Sequence, residues 1–172
     1  GVHRGGRDSA KKQRRVGRAS LHPDNASSGV IAGSLRNSAR SVMAEALLRT
    51  HGGDGFEVHS AGTEPKGINP LTVRVLAEAG IDASWARSKS VSEFAGQSFD
   101  YIITVCDQAR QSCPVFPGEG ERLHWGYEDP AAAEGTDDQR LAVFRRVFPQ
   151  MGERIYLFIP LALRDHARTA TS

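Results

Sequence analysis

The stretch GSLRNSARS, residues 33–41, is the part of the chain from which the fold can be predicted. It joins a short apolar run, GVIAG (29–33), to a segment with helical periodicity, which indicates a turn between a buried strand and a helix. Backbone N–H groups that open a helix lie at the positive end of its dipole, and this suits an anion of phosphate size. Arg40 would add a bidentate guanidinium, and Asn37 and Ser38 would hold the shape of the loop. Alternatively, Asn37 and Ser38 only cap the helix and Arg40 faces solvent.

The rest of the chain alternates strand and helix signals. Apolar or alternating runs predict four strands, at residues 29–33, 56–60, 101–105 and 122–125. Helical periodicity covers residues 38–50, and a second helix follows Pro70 and ends at Gly80. This order predicts a doubly wound α/β domain with a mostly parallel four-stranded sheet and helices on both faces. Its ligand site is expected beyond the carboxyl ends of the strands.

Composition and charge bound the remaining possibilities. The chain has 172 residues, 39% of them hydrophobic, and no apolar run approaches the roughly 18 residues that would cross a bilayer. Residues 1–24 hold seven Lys and Arg against two Asp and no apolar core. They are expected to be a disordered basic tail, with no firm nucleic-acid signal and no secretory signal. Two cysteines fit a reducing compartment, so the cytoplasm is predicted, and a monomer is expected.

The domain itself is predicted over residues 25–160. Pro149 falls where the last long helix should run, so a kink or a fresh helix start is expected there. Residues 161–172 are expected to be a frayed C-terminal tail.

Several sequence segments between residues 37 and 147 closely resemble those of one family, the thioredoxin-coupled arsenate reductases. These segments are NSARSVMAEALLR, VHSAGTEPKGINP, LAEAGID, SKSVSEF, FDYIITVCDQARQSCPVFPG, HWGYEDPAAAEG and LAVFRRV. The reductases share their fold with the low-molecular-weight tyrosine phosphatases, so the resemblance implies a fold of that kind. It also implies arsenate or phosphate as the ligand and thioredoxin as the reductant, with no tightly bound cofactor.

The resemblance assigns roles to individual residues. In the family, a loop of the form Cys, five residues, Arg binds the oxyanion; its arginine matches Arg40, and its thiol matches Ser34. The aspartate of an Asp-Pro pair, which matches Asp129, protonates the leaving oxygen. A second and a third cysteine, which match Cys106 and Cys113, carry the disulfide to thioredoxin. The oxyanion-binding loop comprises Leu35, Arg36, Asn37, Ser38, Ala39, Arg40 and Ser41.

Judged from the residues alone, the two cysteines are less specific. Each is typical of a buried or loop thiol with a structural role. As a pair they could form an exchangeable disulfide if the segment between them brings their Cα atoms within about 7 Å. A zinc site needs more ligands than the sequence supplies nearby, with His124 the only candidate, so no metal is expected.

Ser34 is the main departure from the family. Oxygen cannot form the disulfide through which Cys106 would discharge the product, so turnover by the family's route is expected to be absent. Leu35 and Arg36 also depart from the residues usual in relatives, and the likeness begins abruptly at Asn37. This start suggests either decay of the front end or a shifted reading frame upstream.

A second site beside the loop varies within the family. Some members hold potassium there with an Asn, a Glu, a Ser and an Asp; the first three match Asn37, Glu45 and Ser60, and the fourth is Lys89 here. The Lys89 ammonium could replace the ion as the positive group, or Lys89 could be an ordinary surface residue.

Three functions therefore follow from the sequence. The first is an arsenate reductase by descent, inactive by the family's route as written. The others are a low-molecular-weight phosphatase-like hydrolase and a non-catalytic oxyanion-binding module.

Overall fold

A computed structural model describes residues 27–107 and 115–171. The predicted basic tail, residues 1–24, and Cys113 lie outside the described residues. Within them, no helix is both long enough and apolar enough to span a membrane.

Four parallel strands form one sheet. They are β1 (Ser28–Ser34), β2 (Phe56–Gly62), β3 (Ser98–Thr104) and β4 (Glu119–His124), in the order β2-β1-β3-β4. Every pairing is parallel, and each predicted strand is present. β1 is followed by β2 on one side of it, and the adjacent strand β3 is followed by β4 on the other side, so the connections after β1 and β3 run in opposite directions. The carboxyl ends of β1 and β3 thus form a topological switch point, where ligands bind in sheets of this kind.

Three α-helices and three short 3₁₀ helices complete the described fold. The α-helices are α1 (Arg40–Gly52), α2 (Pro70–Glu78) and α3 (Asp137–Ala170). The 3₁₀ helices are Gly53–Gly55, Val91–Phe94 and Pro130–Ala132. Pro70 opens α2, and the Asn69 side chain accepts a hydrogen bond from Leu71 N. The predicted α/β fold is confirmed.

Side chains of β1 alternate between two cores, as the pleat of a strand requires. Val30 and Ala32 pack in a large core with all three α-helices. Ile31 points to the other face, where a smaller core with Phe99 and Phe116 is covered by the 3₁₀ helix Val91–Phe94. The α-helices thus cover one face of the sheet, and the 3₁₀ helix Val91–Phe94 covers the other.

The last helix differs from the sequence-based expectation. α3 runs unbroken from Asp137 to Ala170, with Pro149 and Pro160 inside it, so no helix restarts at Pro149. The predicted frayed tail, residues 161–172, is wrong as far as Ala170. An interior proline costs about 3 kcal/mol, and burial on the inner face of the helix offsets this cost. The inner face includes Met151, Ile155, Phe158 and Ala162, each at most 8% exposed.

Two glycines provide a test of this packing. A methyl group on Gly33 would lie 2.6 Å from the Phe116 ring, whereas one on Gly152, within α3, would meet nothing within 4 Å. We expect Gly33→Ala to destabilise the protein by about 1–3 kcal/mol through overpacking. Gly152→Ala should stabilise it by about 0.5–1 kcal/mol, because glycine is a poor helix residue. Urea unfolding measures both, and equal effects of the two substitutions would contradict the packing described.

Candidate oxyanion site

The candidate site is the loop between β1 and α1, at the switch point of the sheet. β1 ends at Ser34 and α1 begins at Arg40. Just beyond β3, Val105 N donates to Gly33 O at 3.0 Å, and Trp125 N donates to Thr104 O at 2.8 Å. These bonds gather the carboxyl ends of β1, β3 and β4 around the loop.

Hydrogen bonds from neighbouring segments fix the direction of the loop's peptide groups. The carbonyl oxygens of Leu35, Arg36 and Ser38 all accept from outside the loop. Their backbone donors are Glu64 N to Leu35 O at 2.8 Å, Lys66 N to Arg36 O at 3.1 Å, and Asn69 N to Ser38 O at 3.0 Å. In a trans peptide the N–H points opposite to the C=O, and the described residues contain no cis peptide. The amides that follow these carbonyls therefore point into the loop, which forms a cup of N–H donors.

Asn37 locks this conformation. Its φ is 48°, a left-handed value that asparagine tolerates better than most residues. Its side-chain amide nitrogen donates to Ser41 Oγ and to Ser60 Oγ, both at 2.9 Å, and its Oδ1 accepts from Lys89 N at 2.8 Å. Asn37 thereby ties the loop to α1, to β2 and to the segment before the second 3₁₀ helix.

Gly62, at the end of β2, allows the loop to approach the sheet closely. A methyl group there would lie 2.6 Å from Leu35 O and 2.9 Å from Asn37 N. Any larger residue would push the loop backbone outward.

Ser34 lies in the floor of the cup and is 4% exposed. Its hydroxyl is 2.7 Å from Ser41 Oγ and accepts a hydrogen bond from Asn37 N at 3.1 Å. The cavity above it is lined by Ser34, Leu35, Arg36, Ser38, Ala39, Arg40 and Asp129. The structure thus places nearly all the predicted oxyanion-binding residues around one cavity, with Asn37 and Ser41 supporting it.

Arg40 and Asp129 line the same cavity. Its Nη1 donates to Tyr127 O at 2.9 Å, and its Nη2 lies 3.3 Å from Asp129 Oδ2. Burial lowers the pKa of the Arg40 guanidinium, an effect that the carboxylates of Asp129 and Asp107 oppose. An arginine guanidinium keeps its charge in proteins, so Arg40 is a cation at neutral pH.

The sequence analysis did not identify two residues that interact with Arg40, namely Asp107 and Tyr127. Asp107 follows Cys106 directly at the carboxyl end of β3, and the convergence of parallel strand ends could have pointed to it. Tyr127 contributes its backbone carbonyl, which any residue carries, so the sequence holds no signal for that contact. Both belong to the surroundings of Arg40.

Of the two predicted redox cysteines, Cys106 lies within the described residues. Cys106 is 1% exposed, lies two residues beyond β3 and is disulfide-bonded. Cys113 lies outside the described residues.

The four residues of the predicted cation site meet in one buried group. Lys89 Nζ lies 3.5 Å from Glu45 Oε1 and donates to Arg87 O at 2.9 Å. Glu45 is fully buried, and its other oxygen, Oε2, lies 3.3 Å from Arg49 Nη2. Lys89 is only 9% exposed and is therefore no ordinary surface lysine. Arg49, which the sequence analysis missed, is a second cation on the same carboxylate.

Comparison with known proteins agrees with this geometry. A family model described as low molecular weight phosphotyrosine protein phosphatase matches residues 30–156. The chain belongs to this family. The match begins at Val30 and therefore includes Ser34. The resemblance thus starts upstream of Asn37, where the sequence analysis had placed its beginning.

Individual relatives narrow the relationship. An arsenate reductase of Halalkalibacterium halodurans is 45% identical over 122 residues, which are 71% of this chain and 88% of that protein. A solved arsenate reductase in the phosphate binding state has a TM-score of 0.67 at 31% identity, and covers 78% of this chain and 98% of its own. A thioredoxin-dependent arsenate reductase of Corynebacterium glutamicum has a TM-score of 0.57 at 28% identity, over 80% of this chain and 64% of its own. The predicted resemblance to the arsenate reductases is confirmed.

The contact between Arg40 and Asp129 predicts how anion affinity responds to charge. Asp129→Asn removes a negative charge that would face a bound anion, so phosphate should bind about threefold to tenfold more tightly. Glu128→Gln is the matched control, because Glu128 is an adjacent acid paired with Arg146 at 2.7 Å on the surface. Isothermal titration with phosphate measures both variants. Weaker binding in Asp129→Asn, or an equal gain in Glu128→Gln, would contradict the assignment.

Proposed function

We propose that this protein is an arsenate reductase by descent that still binds arsenate or phosphate in the cup and, with Ser34 in its floor, does not reduce arsenate by the thiol route. One observation carries the proposal. Three loop carbonyls accept hydrogen bonds from outside the loop, Arg40 lines the same cavity as the loop, and a hydroxyl stands where the resemblance places a thiol.

Arsenate reduction requires two electrons for each arsenic atom. Two thiols supply them when one displaces an arsenate oxygen and the other attacks the resulting arsenic-bound sulfur: a disulfide forms, and arsenic leaves in the trivalent state. A serine oxygen in the first position could form an ester, but attack on it would yield no disulfide. The electron transfer therefore has no route through Ser34.

The Ser34 hydroxyl also lacks a group that would activate it as a nucleophile. A cup of amides and a guanidinium lowers the pKa of a thiol from about 8.5 and makes it a thiolate, whereas a serine needs a general base. The groups bonded to Ser34 Oγ are the Ser41 hydroxyl and the Asn37 amide, and neither is a base. This also disfavours phosphatase activity, which needs the same nucleophile.

The positions of two further residues support the proposal. Asp129 lines the cavity, where an acid for a leaving oxygen would be needed, and Cys106 lies two residues beyond β3, the strand next to β1. The thioredoxin-dependent relative supports thioredoxin as the partner of a restored relay, and the relative with bound phosphate supports an oxyanion as the ligand. A non-catalytic oxyanion-binding module is the second candidate, since the geometry of the cup survives the change of nucleophile. The cytoplasmic location stays a prediction.

Replacing one atom tests the proposal. Ser34→Cys should convert the protein to one that releases arsenite from arsenate with thioredoxin, thioredoxin reductase and NADPH, whereas the unchanged chain should release none. The double variant Ser34→Cys, Cys106→Ser is the matched control: it keeps the loop thiol but lacks the second, and should not turn over.

Binding is measured separately so that the two outcomes are distinct. Phosphate at about 100 times its dissociation constant should stabilise the unchanged chain by about 2.7 kcal/mol, and Arg40→Ala should abolish this gain. Stabilisation without activity in a folded Ser34→Cys variant would support the binding module. Absence of any stabilisation would contradict both candidates.

Lys89 yields a second prediction. We propose that its ammonium supplies at Glu45 the positive charge that potassium supplies in some relatives, so the melting temperature should not depend on the choice of KCl over choline chloride. In Lys89→Asp the buried carboxylate of Glu45 keeps Arg49 but loses its second cation and gains a neighbouring negative charge, so the melting temperature should fall and be raised by potassium. Lys66→Asp, the same charge change at an exposed residue, is the control. A response to potassium in the unchanged chain would contradict the proposal.

A further inference from the structure

The second half of α3 carries an exposed strip on its outer side. We call the outer strip the residues Glu153, Leu157, Pro160, Leu161 and Arg164, which recur at the three- and four-residue spacing of one helix face. All are exposed, and Leu157 and Leu161 are 74% and 54% exposed, respectively. An apolar centre is thus flanked by an acid at one end and a base at the other.

The other large apolar residues nearby have intramolecular neighbours. The centroid of the Tyr156 ring lies 4.6 Å from that of the His51 ring. Leu163 packs against Gly55, where an added methyl group would lie 2.8 Å from Leu163 Cδ2. Inward, Ile155 and Phe158 are buried in the main core. The two outer leucines have the greatest exposure among the large apolar residues of α3 other than Tyr156, and they lie on a different side of the helix from it.

None of the residues of the outer strip lines the oxyanion cavity, and its apolar centre, Leu157 to Leu161, lies beyond the residues that the family model matches. The family match ends at residue 156, before Leu157.

We propose that the outer strip is the interface through which two copies of this chain associate, with their α3 helices antiparallel about a two-fold axis. In such an arrangement a residue i that meets a residue j is matched by j meeting i on the other side. When the axis passes midway between Leu157 and Leu161, each Leu157 faces Leu161 of the second copy. Each Glu153 then lies within reach of Arg164 of the second copy.

Charge complementarity favours a second copy over other occupants. Since the acid is at one end of the strip and the base at the other, an antiparallel copy pairs both ends with opposite charges. A parallel copy would place like charges together. An anionic lipid surface would favour basic residues at both ends of an apolar helix face, and Glu153 opposes that. The proposal differs from the monomer expected from the sequence.

Sedimentation velocity of the full chain over a wide concentration range tests the association. We expect a reversible dimer whose dissociation constant rises about tenfold or more in Leu157→Glu, because a central apolar contact becomes a buried charge. Val73→Glu is the control: Val73 is 44% exposed on α2, and its replacement should leave the dimer unchanged. Circular dichroism should show both variants folded, since both residues are exposed. A chain that is monomeric at all concentrations would overturn the proposal, as would a dimer indifferent to Leu157→Glu.

A charge exchange identifies the partner as a second copy in the proposed orientation. Glu153→Arg and Arg164→Glu should each weaken the dimer, because like charges then meet at both ends. The double variant Glu153→Arg, Arg164→Glu should restore the original dissociation constant to within about threefold. A double variant no tighter than the single ones would overturn the antiparallel pairing. Binding of a monomeric chain to anionic vesicles through Leu157 would instead identify a lipid surface and overturn it as well.

Discussion

The outward direction of three carbonyl groups is the constraint on which the site depends. The backbone oxygens of Leu35, Arg36 and Ser38 accept hydrogen bonds from backbone N–H groups of residues 64–69. The N–H groups that follow these three carbonyls therefore point into the loop. The cup is therefore built by the segment that follows β2 as much as by the loop itself. Because these bonds are made within the protein, the amides are already oriented before an anion arrives, and binding does not have to organise them.

This construction explains how a binding site can outlast its chemistry. None of the bonds that shape the cup requires a sulfur at position 34, and the Ser34 hydroxyl even accepts a bond from Asn37 N within it. Arg40 is held by Tyr127 O and Asp129 independently of that position. The loss of a thiol thus removes the electron route and leaves the electrostatics of the cup in place.

The sheet and the position of the loop could be predicted because their signals are local. Apolar or alternating runs predicted the four strands, and the strand-to-helix turn at residues 33–41 placed the predicted site at the carboxyl ends of the strands. The long-range contacts could not be predicted in this way. Asp107 acts on Arg40 only because β3 ends beside β1, and Arg40 Nη1 donates to Tyr127 O, 87 residues away along the chain. The pair of Arg49 and Glu45, by contrast, is an i,i+4 contact on α1, and its spacing was a local signal that the sequence analysis missed. The unbroken length of α3 was not predicted, because the local cost of Pro149 was weighed without the burial of Met151, Ile155 and Phe158 in the main core.

The direction of the loop amides is the central claim, and nuclear magnetic resonance tests it most directly. In ¹⁵N spectra of the full chain titrated with phosphate, the amides of Arg36, Ala39 and Arg40 should shift with one saturable curve, together with the Arg40 side-chain signal. The amide of Asn37, which already donates to Ser34 Oγ, should shift less. Saturable shifts located elsewhere, or none in this loop at phosphate concentrations that stabilise the protein, would contradict the account.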